Sequence, residues 1–171
     1  ADITPEESTA GDSNILVAYF SWSGNTQQVA NWISDKTGGE LFRIIPEVEY
    51  TEDDVFDRAQ DELNNGTRPP LSSHIDQEVM EQYDVIFVGF PIWVYREPMA
   101  VLTFLDEYDF KGKTVIPFCT SMAVGIEQSM DDFRNTIPDA DIKQGLRLGY
   151  TLSGDWQSLV NEWLNKISTS K

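Results

Sequence analysis

The segment Ser21-Trp22-Ser23-Gly24-Asn25-Thr26 has the composition of an anion cradle. Its three hydroxyls, a glycine that lets the backbone come close, and the unpaired N–H groups of a following helix start can together wrap a phosphate. The segment holds no Lys or Arg, and the chain contains neither a GxxxxGKS/T pattern nor GxGxxG. A magnesium-assisted triphosphate loop and a dinucleotide fingerprint are thereby excluded. What remains is a site for one terminal phosphate monoester, held by neutral hydrogen bonds and the helix dipole. On composition alone, an ordinary strand-to-helix turn with a Ser or Thr N-cap stands beside that reading.

A second stretch, Gly89-Phe90-Pro91-Ile92-Trp93-Val94-Tyr95-Arg96-Glu97-Pro98, puts large apolar and aromatic residues where a loop should face water. Rings presented on a rigid frame suit a flat ligand, because ring faces give wide contact at small entropic cost. Alternatively, Trp93 and Tyr95 cover the top of the core or meet a second subunit. A third stretch, Thr120-Ser121-Met122-Ala123-Val124-Gly125, offers hydroxyls, N–H groups and a small-residue turn able to bond the polar edge of a ring. Other reactive side chains are sparse. Cys119 ends an apolar run with no basic neighbour to favour its thiolate, and reads as a small core residue. His74 reads as a solvated loop histidine, and Asp35, Asp106, Glu107 and Asp109 form no recognisable acid/base pair. One Cys and one His cannot make a four-ligand zinc site.

The elements that must position these stretches follow from hydrophobic patterning. Ile15 to Phe20 is an unbroken apolar run, as expected of a strand covered on both faces. Further strands are predicted at Glu40 to Ile45, Val85 to Phe90, Thr114 to Cys119 and, more weakly, Gly145 to Tyr150. Helical spacing appears in Val29, Ala30 and Ile33; in Val55, Phe56, Ala59 and Leu63; in Val101, Leu102 and Leu105 after Pro98; in Ile126, Met130 and Phe133; and in Leu159, Val160, Trp163, Leu164 and Ile167. Strands alternating with helices call for a parallel sheet with helices on both faces, because crossovers are right-handed. Ligands in such folds sit beyond the carboxyl ends of the strands. The three stretches above lie there, after the first, third and fourth strands.

Composition bounds the remainder. With 171 residues, 40% of them hydrophobic, the chain suits one domain, predicted over residues 14–171, preceded by a flexible acidic lead-in over residues 1–13. The formal charge of −17, from 29 acids and 12 Lys plus Arg, argues against nucleic acid, whose affinity comes from cations that displace counterions. No run approaches the roughly 18 apolar residues needed to span a bilayer as a helix.

The three loops together resemble the flavodoxin family, from Asn14 to about Ile167. The resemblance implies a doubly wound α/β fold with a five-stranded parallel sheet in the order 2-1-3-4-5. It also implies flavin mononucleotide (FMN) as cofactor. Ser21, Ser23, Gly24, Asn25 and Thr26, with the Trp22 backbone, would hold its phosphate. Pro91, Ile92, Trp93, Val94 and Tyr95 on one side, and Thr120, Ser121, Met122 and Gly125 on the other, would flank the isoalloxazine, with Trp93 as the stacking residue. The family's electron carriers place a glycine beside the flavin; here Ile92-Trp93-Val94-Tyr95 has none, so a positive φ is costly in this loop. Nor does the third loop carry the covering Tyr of those carriers, leaving that space to Met122 or a partner.

Implied functions are an electron-transfer protein, an FMN-dependent NAD(P)H:quinone oxidoreductase, or a module that has lost flavin. Arg96 either reaches the ring's polar edge, opposing the negative field of the chain, or is a solvated loop residue beside Glu97. Between Glu47 and Glu62, eight acids face one Arg58, a run that reads as a solvated helix face or as a steering surface for a redox partner with a basic surface. The quinone-reductase reading implies a small quinone and NAD(P)H instead. Monomer and dimer both remain open. The resemblance favours the cytoplasm, whereas the acidic lead-in suits export after removal of a signal.

Overall fold

The strands of this protein are short and parallel to their neighbours, and helices cover both faces of the sheet. The computed structural model describes residues 14–93, 95–121, 124–149 and 155–169. The central strand β1 (Ile15–Tyr19) pairs on one side with β2 (Glu40–Arg43) and on the other with β3 (Val85–Pro91). β4 (Thr114–Thr120) pairs with β3 and carries β5 (Asp141–Ile142) and β6 (Leu146–Leu148) on its outer edge. The resulting order, β2-β1-β3-β4 and then the edge, is the predicted 2-1-3-4-5 arrangement.

That edge departs from expectation. Instead of one strand over Gly145 to Tyr150, two short pieces pair with opposite ends of β4, at Thr114–Val115 and Phe118–Thr120. Pro117 lies between them. The Val115 carbonyl accepts from Lys143 on this edge, and alternate residues of a strand point the same way, so the missing N–H of Pro117 falls on the edge side. A ladder bond cannot form there, and the edge pairing is interrupted. Tyr150 lies outside the described residues.

Alternation along the strands sorts side chains to two cores. Val17, Tyr19, Phe87, Ile116 and Phe118 face α1 (Asn25–Thr37) through Val29, Ala30 and Ile33, and α6 (Asp155–Thr169) through Trp156, Val160 and Trp163. Leu16, Ala18, Ile86, Val88, Phe90 and Cys119 face the opposite layer, made by α2 (Val55–Asn65), α4 (Met99–Glu107) and α5 (Glu127–Thr136). A single-turn helix α3 (Gln77–Met80), too short to show a period in the sequence, seats Met80 under this layer. Helix α4 begins directly after Pro98, and Met99 through Leu105 are all buried.

Candidate cofactor site

The carboxyl ends of β1, β3 and β4 meet at Thr120. Its hydroxyl lies 3.1 Å from that of Thr26, on α1, and its carbonyl accepts the Ile92 N–H at 2.9 Å. The three loops singled out from the sequence are therefore joined by one buried residue.

In the first loop, Ser21 is buried and turned inwards, where its Oγ accepts the N–H groups of Gly24 and Gln27, each at 3.2 Å. Gly24 takes φ 99, a conformation open to glycine, and the helical ladder starts with the Gln28 N–H on its carbonyl at 3.1 Å. The N–H of Thr26 precedes that ladder, while Trp22, Ser23 and Gly24 are exposed and Asn25 is half-buried. The expected Ser or Thr N-cap is corrected: Gly24 occupies that position with no side-chain cap, and Ser21 braces the turn from within by accepting the Gly24 and Gln27 N–H groups.

A cation stands beside that loop where the sequence had offered none. Arg43, at the end of β2, donates from Nη2 to the Ser21 carbonyl at 3.1 Å. With Phe20, Trp22, Pro46, Glu49 and Tyr50 it lines a cleft of about 230 Å³. Only the pairing of β1 with β2 brings Arg43 here, so no local pattern announced it.

The second loop is a tight hairpin in which Trp93 and Arg96 exchange N–H···O bonds of 2.8 and 2.9 Å. Tyr95 sits at its tip with φ 71, although the loop contains no glycine to make that conformation cheap. Trp93 is only 7% exposed, held against Tyr50, Phe20 and Trp22 at centroid distances of 5.1, 5.3 and 6.1 Å. The ring surface open at this end belongs to Tyr95, 72% exposed, and Trp22, 39% exposed. Pro91 and Ile92 are half-buried. Val94 and Met122 lie outside the described residues.

Burial pushes the Tyr50 phenol well above its ordinary range, helped by the Glu62 carboxylate it bonds and opposed by Arg58, whose guanidinium lies 3.9 Å from the ring centroid. Glu62 is thus the exception to the solvated-face reading of the acidic run: it is buried and also pairs with Arg58 at 3.0 Å. Ser121 is buried and Gly125 half-buried. The third loop is braced from β6 by Arg147, which donates to the carbonyls of Val124 at 3.1 Å and Ser121 at 3.3 Å.

Arg96, its side chain 34% exposed, is bound to Asp132 on α5 at 2.8 Å, a partner that neither sequence reading contained. Glu97 beside it is 3% exposed. Cys119 is fully buried, and burial pushes its thiol up to about 12. His74 pairs with Glu107 at 3.1 Å, on residues remote in sequence from the three loops.

Comparison with known proteins agrees with this fold. A family profile described as flavodoxin matches residues 14–167. A Bacteroides eggerthii structure assigned as a flavoprotein is 34% identical, covers 92% of this chain and 99% of its own, and has a TM-score of 0.80. Another from Bacteroides uniformis is 30% identical over 91% of this chain and 99% of its own, also with a TM-score of 0.80. A Lactobacillus acidophilus flavoprotein, solved in complex with FMN, shares the fold at 24% identity and a TM-score of 0.67, covering 88% of this chain and 97% of its own. None of the curated proteins compared with the chain matches it. With the family profile running from the first strand to the last helix, the chain belongs to the flavodoxin family.

Proposed function

We propose that this protein binds FMN and serves as an electron carrier. The observation that supports this reading most is the convergence on Thr120: an anion cradle, a ring-bearing hairpin and a polar loop are held within hydrogen-bond reach of one residue. The residues fit the cofactor. The rim from Ser23 to Thr26 suits its phosphate monoester, and Arg43 adds positive charge to an otherwise neutral cradle. The hairpin bearing Tyr95 and the loop Thr120 to Gly125 would flank the isoalloxazine, with Trp22 as an additional open ring.

When bound, FMN supplies reversible one- and two-electron chemistry. The chain's own part is to bind, orient and shield. Thr26 and Thr120 lock the cradle to the third loop, Arg147 steadies that loop, and Trp93 with Tyr50 keeps water from beneath the hairpin. Cys119, buried and protonated, is not a nucleophile here. We infer that the exchange partner has a basic surface, since most acids between Glu47 and Asp61 are exposed and would steer such a partner.

The test is direct. FMN titrated into apoprotein should quench tryptophan fluorescence to saturation, and the yellow complex should be bleached by dithionite but not by NAD(P)H alone. Absence of quenching at saturating FMN would overturn the cofactor reading. Bleaching by NAD(P)H with turnover on added quinone would replace the carrier by a reductase.

A further inference from the structure

Buried polar atoms without a hydrogen-bond partner among the described residues gather in one place: Arg96 Nε, both carboxyl oxygens of Glu97, Ser129 Oγ and Asp132 Oδ2. Native proteins leave few such groups, and a cluster of them calls for a physical account. Its position supplies one. Arg96 and Glu97 end the loop after β3, immediately before α4, while Ser129 and Asp132 belong to α5, which follows the loop after β4. The cluster therefore sits between the roots of the two loops that would flank a bound ring.

We infer that the buried Glu97 carboxyl keeps its proton beside the charged Asp132, and that this singly charged pair, locked by Arg96, holds the two loops at their working separation, so that loss of the proton loosens the site. The inference rests on the FMN reading for what the loops grip, but not for the pair itself. Charge arithmetic carries it. Among the described residues Arg96 is the one cation bonded to the cluster, and it is committed to Asp132 Oδ1, which also receives Gln128 Nε2 at 3.4 Å. A second carboxylate would be buried with no cation of its own, and burying an uncompensated charge is strongly unfavourable. Glu97 accordingly keeps its proton: burial first, then the Asp132 charge, push its carboxyl up to about 8. Ser129 and Asp132 from α5 and Arg96 from the hairpin are the groups that face it.

The sign follows. The folded state binds the Glu97 proton more tightly than the unfolded chain does. Stability relative to a chain without this group therefore falls as pH rises from the ordinary carboxyl range to about 8, and is level beyond. The experiment compares the parent with Glu97→Gln, which keeps the shape and removes the ionisation. Asp132→Asn is the second variant, leaving Arg96 free to pair with Glu97. Three readouts span pH 6 to 9: urea stability of the apoprotein, hydrogen exchange of the hairpin amides of Ile92 and Arg96 corrected for intrinsic rate, and FMN affinity by tryptophan quenching.

The parent should lose stability relative to Glu97→Gln up to about pH 8, with faster hairpin exchange and an FMN affinity falling about tenfold from pH 7 to 9. Both variants should be flat in exchange and affinity. Parallel urea profiles for parent and Glu97→Gln would overturn the retained proton. A changing urea profile with unchanged hairpin exchange would overturn the loop-holding role. Failure to bind FMN at any pH would sink the flavin reading alone, since the first two readouts need no cofactor.

Discussion

Gly89 offers a sharp test of how the sheet carries the site. It lies opposite Phe118 in the parallel ladder, and the Phe118 ring lies over it. A Cβ placed on Gly89 would stand 2.1 Å from Phe118 Cζ, 2.2 Å from Cε2 and 2.8 Å from Cε1, whereas carbon atoms settle at about 3.5–4.0 Å. In Gly89→Ala the ring must move by more than about 1 Å. It is fully buried and backed by Trp163 at a centroid distance of 6.5 Å, so there is little room to yield. Overpacking of this kind destabilises by about 1–3 kcal/mol, and the enclosed ring places this case near the upper end. Because the Gly89 carbonyl also receives the Phe20 N–H at 2.8 Å, a shifted strand end disturbs both the first and second loops, and FMN affinity should fall with stability.

Phe118→Leu, by itself expected to lose about 1.5 kcal/mol, opens the space. The double variant should therefore be more stable than the sum of the singles by at least about 1 kcal/mol. Urea unfolding with an unchanged m-value measures all four corners of the cycle. A Gly89→Ala midpoint indistinguishable from the parent, or strictly additive singles, would refute the packing argument.

Other consequences are open to equally simple measurements. Tyr95→Gly should raise stability by roughly 0.5–1 kcal/mol in urea unfolding, because the tip residue sits at φ 71 and its exposed ring contributes little burial. Thr26→Val strands the buried Thr120 hydroxyl and should lose about 1–3 kcal/mol; adding Thr120→Val should restore part of it in thermal melts. The Cys119 thiol should resist alkylation at pH 8 in the native protein and react at an ordinary rate in urea, as mass spectrometry can follow. Tyr50 has a folded-state pKa raised above the unfolded value, so its contribution is intact below the ordinary phenol range and lost as pH climbs through the folded value. Absorbance titration should find Tyr50 ionising only with alkaline unfolding, and Glu62→Gln should bring that onset partway down.

Strand runs, helical spacing and the composition of the three loops are local properties, and these were readable along the chain. An unbroken run such as Ile15 to Tyr19 can only be stable when covered on both faces, and that fact carries the fold class. Decisions between distant residues were not readable. Thr26 meets Thr120, Arg43 reaches Ser21, and Arg96 finds Asp132 only because parallel crossovers return each loop to the same end of the sheet. Trp93 could be recognised as an aromatic in an exposed loop, but Phe20 and Tyr50 decided that it would pack rather than lie open. Glu97 is buried beside Ser129 and Asp132 of α5, residues its own segment does not announce. Covalent neighbours set what each segment prefers; which charges are satisfied, and which are left without water, depends on segments that only folding brings into contact.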